Sequence, residues 1–174
     1  MQKGIIIVFT GDGKGKTTAA IGTALRAIGH RLRVCIIQFI KQAKSIEGEY
    51  KALQVFCSDL EFHTLGLGFI RNKRKWEAHK KKAKEAFSFA EGKIFSGKFD
   101  LVILDELTYI INLNLLNEQE VLSSLKQKPP HVHILITGRG ATPSLIAIAD
   151  LVTECKQIKH PFYKGQKALK GIEF

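Results

Sequence analysis

The chain has little cysteine, little negative charge and no long apolar run, and each shortage excludes something. Its three cysteines, Cys35, Cys57 and Cys155, form no C-x-x-C pair. That argues against a disulfide framework and against a structural zinc site. No apolar stretch approaches the ~20 residues that a membrane helix needs. No apolar segment of signal length precedes the first strand-like run. A reduced cytoplasmic setting without membrane attachment is therefore expected. The six histidines lack metal-ligand spacing, and no Ser/His/Asp or Cys/His set for nucleophilic catalysis emerges. Internal repeats, linkers and low-complexity segments are absent too. A length of 174 residues suits one domain with a real core, spanning residues 1–174.

Acidic residues number 16 against 27 basic ones, a formal charge of +11. Much of the excess lies in Lys73, Arg74, Lys75, Lys80, Lys81, Lys82 and Lys84. Such a block can bind nucleic acid, attract an acidic protein, or form a solvated helix face. Trp76, Ala83, Phe87, Ala90 and Ile94 share one helical face, so these aromatics are assigned to the core. That removes the stacking platform a nucleic-acid site would use, and no nucleic-acid partner is expected.

Strand-like and helix-like segments alternate along the chain. Strands are expected at residues 5–9, 32–40, 60–65, 99–104, 131–137 and 151–154. Helices are expected at 19–28, 47–55, along the basic segment, and at 118–126 and 143–149. Continuous apolar strands separated by helices imply an α/β fold, a mostly parallel sheet covered on both faces. Ligands in such folds bind at the carboxyl ends of the strands.

The first strand runs into Gly11-Asp12-Gly13-Lys14-Gly15-Lys16-Thr17-Thr18. Glycines let backbone N–H groups curl around phosphate oxygens. Lys16 supplies a point charge, and the Thr17 hydroxyl can ligate Mg²⁺. The following helix adds its N-terminal dipole. The loop is one residue shorter than the usual pattern, because only three residues separate Gly11 from Gly15. Leu101-Val102-Ile103-Leu104-Asp105-Glu106 is the complementary motif, an apolar strand ending in two carboxylates suited to Mg²⁺. Arg139, in Thr137-Gly138-Arg139, ends the next strand on the same rim and is a candidate phosphate contact. Arg26, on the helix after the loop, is another.

These motifs occur in a fixed order with Gln38-Phe39-Ile40-Lys41, Gly68-Phe69, Asp105-Glu106-Leu107-Thr108-Tyr109, Lys159-His160-Pro161-Phe162 and Gly171-Ile172-Glu173-Phe174. Together they resemble the P-loop family of ATP:corrinoid adenosyltransferases over essentially the whole chain, and the shortened loop is itself a mark of that family. The resemblance implies a P-loop NTPase-like (RecA-like) fold, a homodimer and Mg²⁺ dependence. It also implies transfer of the 5′-deoxyadenosyl group of ATP to Co(I) of a reduced corrinoid, of the cob(I)yrinic acid a,c-diamide adenosyltransferase type. Gly11, Asp12, Gly13, Lys14, Gly15, Lys16 and Thr18 would hold the triphosphate, and Thr17 and Glu106 the Mg²⁺, with Asp105 in support. Phe69 would cover the corrinoid and help displace its lower axial ligand. Two positions depart from the family pattern: Arg71 stands where an aromatic is usual, and Gln42 where a glycine is usual. An acidic flavodoxin-like reductant is the expected partner of the basic helix. A γ-phosphate transferase or hydrolase, and a RecA-like nucleic-acid ATPase, are the competing readings.

Overall fold

Alternate residues of each central strand feed two separate cores, which is why their apolar runs are unbroken. The computed structural model describes residues 3–41, 48–53, 59–70 and 75–172. Its strands are β1 (Ile6–Thr10), β2 (Val34–Gln38), β3 (Leu60–Thr64), β4 (Leu101–Asp105), β5 (His133–Thr137) and β6 (Leu151–Glu154). They form one sheet in the order β3-β2-β4-β5-β1-β6, every pair parallel. Ile6, Val8, Cys35, Ile37, Val102, Leu104, Ile134 and Ile136 point to one core. Val34, Ile36, Leu101, Ile103 and Leu135 point to the other. A sheet buried on both faces has no position for a solvated residue in its central strands.

Helices α1 (Lys16–Gly29) and α2 (Gly48–Leu53) cover the second face, through Ala20, Ile21, Ala24 and Leu53. Helices α3 (Trp76–Ile94), α4 (Leu107–Asn112), α5 (Glu118–Lys126) and α6 (Pro143–Ile148) cover the first. α5 and α6 begin where their sequences supply caps: the Asn117 side chain accepts the N–H of Gln119, and the Thr142 hydroxyl accepts that of Leu145 ahead of Pro143. The expected apolar stripe of α3 is buried at Ala83, Phe87, Ala90 and Ile94, and Trp76 packs against the same core. Its basic start at Lys73 and Arg74 lies outside the described residues, as do Glu47, Val55, Gln42, Cys57, Arg71, Glu173 and Phe174.

Helix α4 and the 3₁₀ turn Pro161–Lys164 were not expected from the sequence. α4 has only six residues, of which Thr108, Tyr109, Ile110 and Ile111 are β-branched or aromatic and weak helix formers. Burial of Leu107, Ile110 and Ile111 holds it in place. Among the described residues no helix is long and apolar enough to cross a membrane.

Candidate active site

Three strands end in a single polar side chain at the same rim: Gln38 on β2, Asp105 on β4 and Thr137 on β5. Parallel pairing sets Gln38 beside Asp105. Asp105 is only 1% exposed and is the hub of the rim. Its Oδ1 accepts the Thr17 hydroxyl at 2.9 Å and the Thr137 hydroxyl at 2.6 Å, and its Oδ2 accepts the Gln38 amide at 3.0 Å. Thr137 in turn accepts the backbone N–H of Glu106 at 3.0 Å. A buried carboxylate with three donors is a positioning element. By accepting the Thr17 hydroxyl hydrogen, it leaves that oxygen's lone pairs available as acceptors.

The Gly11–Gly15 loop joins β1 to α1, whose first turn has no side-chain cap. Its leading N–H groups are thus left for an anion. Gly15 adopts φ +116 with open space around it, so backbone conformation alone requires glycine there. Gly11, at φ +96, shares that demand, and Gly11 and Gly13 both meet a second constraint. A Cβ on either would lie 2.5 or 2.6 Å from the Cys155 carbonyl oxygen, because the segment after β6 runs against the loop. The Gly13 N–H donates to that carbonyl at 2.7 Å, and the Cys155 N–H donates to Thr10 at 2.8 Å. Of the loop N–H groups, that of Gly13 is turned to the tail and not inward.

Lys16 is 7% exposed, and its ammonium donates to the carbonyls of Gly11 and Gly13, each at 2.7 Å. Burial lowers its pKa, against an opposing pull from the Glu106 carboxylate. Glu106 occupies the left-handed region at φ 64, where β4 turns into α4. This places its carboxylate beside Gly138, at which a Cβ would meet the Thr108 hydroxyl at 2.2 Å. Burial raises the Glu106 pKa, helped by the Asp105 charge and opposed by Lys16. The Thr17 hydroxyl and the Glu106 carboxylate make a hard oxygen donor set that fits Mg²⁺. Asp105, with both oxygens engaged, fits the supporting role.

Asp12, Gly13, Lys14, Gly15, Lys16, Thr17, Thr18, Phe69, Glu106 and Arg139 line one cleft of about 380 Å³. Arg139 Nη1 lies 4.0 Å from Asp12 Oδ1 in an exposed pair across the mouth. The backbone carbonyl of Arg139 is held by the Thr108 hydroxyl at 2.8 Å and the Asn112 amide at 3.0 Å. Phe69 is 62% exposed and meets Tyr109 edge-to-face, with centroids 5.8 Å apart. Gly66 sets its approach, since a Cβ there would strike the Ile40 backbone at 2.2 Å. The Gly68 N–H donates to Ile40 at 2.7 Å. These glycines serve close packing along residues 38–41 more than free swing. Arg26 is not brought to this site. It lies ten residues along α1 from Lys16, about 15 Å at 1.5 Å per residue. It lines a groove with Ile5, Leu32, Leu101 and His133 at the opposite end of the sheet.

Sequence reasoning gave no role to Gln38, Thr137, Thr108 or Asn112, which hold the site together. The signal was present as a lone polar residue ending each of three apolar runs. His160 lines the cleft, but its Nδ1 accepts the Phe162 N–H at 3.2 Å and caps the 3₁₀ turn.

In fold, the chain resembles the flagellar accessory protein FlaH from Methanocaldococcus jannaschii, with TM-score 0.59 and 15% identity over 88% of this chain and 72% of that one. It is 39% identical over 173 residues to the corrinoid adenosyltransferase of Escherichia coli K12, covering 99% of this chain and 87% of that protein. It is 42% identical over 178 residues to the corrinoid adenosyltransferase CobA of Salmonella typhimurium LT2, with the same shares. The family model for ATP:corrinoid adenosyltransferase BtuR/CobO/CobP matches residues 2–174. A P-loop α/β sheet, a nucleotide-type loop joined to a strand-end carboxylate pair, and these matches place the chain in the ATP:corrinoid adenosyltransferase BtuR/CobO/CobP family.

Proposed function

We propose that this chain transfers the 5′-deoxyadenosyl group of ATP to the cobalt of a Co(I) corrinoid. The reaction type is that of cob(I)yrinic acid a,c-diamide adenosyltransfer, in a cytoplasmic homodimer. The observation that carries the reading is the Gly11–Thr18 loop tied through Thr17 to Asp105, in a chain of this family. The electron pair of Co(I) forms the Co–C5′ bond, the C5′–O bond breaks, and its pair leaves with triphosphate. Such a nucleophile needs no general base. The protein's work is to hold C5′ in line and to stabilise the leaving group, and orientation alone can supply ~7–11 kcal/mol.

In this reading the free loop N–H groups, Lys16 and Thr18 bind triphosphate, and Lys14 and Arg139 add charge at the mouth. To reach phosphate, Lys16 exchanges the Gly11 and Gly13 carbonyls for anionic oxygens. Thr17 and Glu106 would hold Mg²⁺, which offsets charge on the departing triphosphate. Incubation with ATP, Mg²⁺ and chemically reduced cobalamin should yield a light-sensitive Co–C bond and intact triphosphate. Release of orthophosphate without a Co–C bond would favour γ-phosphate chemistry instead.

Glu106→Gln is expected to raise the Mg²⁺ requirement. The raised pKa of Glu106 keeps its carboxyl protonated to higher pH than usual, so metal affinity should fall as pH drops toward that pKa. In the Gln variant this dependence should flatten. An unchanged metal titration would move the role to Asp105.

Phe69→Ala is expected to spare ATP binding and to slow the reaction from Co(II) far more than from pre-formed Co(I). Losing the ring's apolar contact should destabilise a ligand-displaced Co(II) corrinoid by ~1.5–3 kcal/mol. An unaltered Co(II) spectrum in the presence of ATP would remove Phe69 from that role.

The basic face of α3 is assigned to an acidic flavodoxin-like electron donor. Lys80, Lys81 and Lys82 stand together on α3, where Lys82 pairs with Glu85 at 3.3 Å. Opposite charge raises encounter rates. Reversing all three lysines to Glu should slow flavoprotein-driven turnover and leave turnover with a chemical reductant intact. Equal losses in both assays would make the face structural.

A further inference from the structure

Cys35 is far in sequence from Glu61 and His63 and adjacent to them in the sheet. β2 and β3 pair in parallel with Cys35 opposite Glu61. His63 follows two residues on, and the period of a strand puts all three side chains on one face. Their ligating atoms lie within 4.8 Å of one another. The cluster sits beneath the end of α3, from which Lys93 reaches in. The Lys93 ammonium donates to Glu61 Oε2 at 2.5 Å, and His63 Nε2 lies 2.9 Å from the same oxygen. The ammonium also lies over the Phe89 ring at 5.0 Å and the Phe99 ring at 5.6 Å. Glu61 and His63 are half-buried on the edge strand, which opens the cluster to solvent, whereas Cys35 is fully buried.

We propose that Cys35, Glu61 and His63 form a three-ligand site for a borderline-soft divalent cation of the zinc class, in competition with the Lys93 ammonium. One thiolate, one imidazole and one carboxylate are the donor types zinc takes. Hard ions such as Mg²⁺ and Ca²⁺ disfavour sulfur, so this set separates the site from the Thr17–Glu106 rim. Zinc distances of about 2.0–2.3 Å put tetrahedral ligand atoms under ~4 Å apart, a contraction of about an ångström for side chains already converging. Burial, then the Glu61 charge, pushes the Cys35 thiol up to about 12, so it carries its proton in the metal-free protein. On binding, that proton passes to solvent and the sulfur becomes a thiolate ligand. Lys93 must give up its bond to Glu61 for the metal to bind. The fourth metal position is left to water. The site is independent of the adenosyl-transfer reading.

The test uses the full chain, metal-free, without ATP or Mg²⁺, titrated with Zn²⁺ against a chromophoric chelator and with Co²⁺ as a spectroscopic probe. One equivalent of Co²⁺ should give a thiolate-to-cobalt charge-transfer band. Cys35→Ser should abolish the band, and His63→Gln should weaken Zn²⁺ binding by at least about a hundredfold, the upper range seen for losing even an outer-shell partner. Lys93→Met should tighten Zn²⁺ by about tenfold, since the charge-assisted bond to Glu61 no longer competes. Cys155→Ser should leave all of this unchanged. A thiolate band that survives Cys35→Ser, Zn²⁺ affinity unaffected by His63→Gln, or weaker binding in Lys93→Met would each overturn the proposal.

Discussion

Lys16→Ala is expected to lower adenosyl transfer by about 10²–10³, the usual consequence of losing one preorganised electrostatic contact to a leaving group. The ammonium is held beside the loop by two carbonyls at 2.7 Å, so its charge is in place before nucleotide arrives. Fold stability should change little. Burial lowers the Lys16 pKa and so marks its charged form as costly in the free protein. Removing it relieves that cost and, in the opposite sense, takes the donor from the part-buried Gly11 carbonyl and the buried Gly13 carbonyl. The combination to look for is a rate loss of this size at saturating ATP with an unchanged denaturant midpoint. A variant within threefold of wild type would refute the assignment of Lys16 to the leaving group.

Asp105→Ala is expected to damage both stability and activity. The substitution strands the Thr137 hydroxyl and the Gln38 amide in a site that is almost fully buried, and it releases Thr17. Buried donors without partners cost ~1–3 kcal/mol each, so a loss of about 3–5 kcal/mol is expected. Thr17, half-exposed, can turn to water and contributes least to that sum. Transfer activity should fall further than the folded fraction does, because the Thr17 hydroxyl is no longer aimed. Asp105→Asn separates the two effects. Its carbonyl can still accept from Thr17 and Thr137, so most stability should return, while its amide faces that of Gln38. A denaturant midpoint for Asp105→Ala indistinguishable from wild type would show that the hydrogen-bond hub contributes little.

The parallel sheet was legible because its strands are buried on both faces and therefore apolar at every position, as in Val102-Ile103-Leu104. Boundaries at α5 and β6 coincide with the sequence reading, where Asn117 caps one element and a short apolar run bounds the other. α4 escaped notice because its helicity comes from the burial of Leu107, Ile110 and Ile111 and not from propensity. Within the site, Gly15, Lys16, Thr17 and the Asp105-Glu106 pair were legible because each needs a particular residue type at a particular offset. Arg26 looked equally plausible on the helix after the loop. Only the length of α1 separates it from the phosphate end.

Local chemistry, encoded in contiguous residues, by itself determined the phosphate loop, the carboxylate strand end, the α/β class and the family likeness. Tertiary structure alone decided which groups share a space. It made Asp105 the anchor of Thr17, Thr137 and Gln38. It set Gly11 and Gly13 against the Cys155 carbonyl, a constraint no loop pattern contains. It also drew Cys35, Glu61 and His63 together, although their spacing in the chain argues against a metal site. The reason is the same in each case. Strand pairing joins residues by register across the sheet, and register depends on how the whole hydrophobic pattern packs, not on any short stretch of sequence.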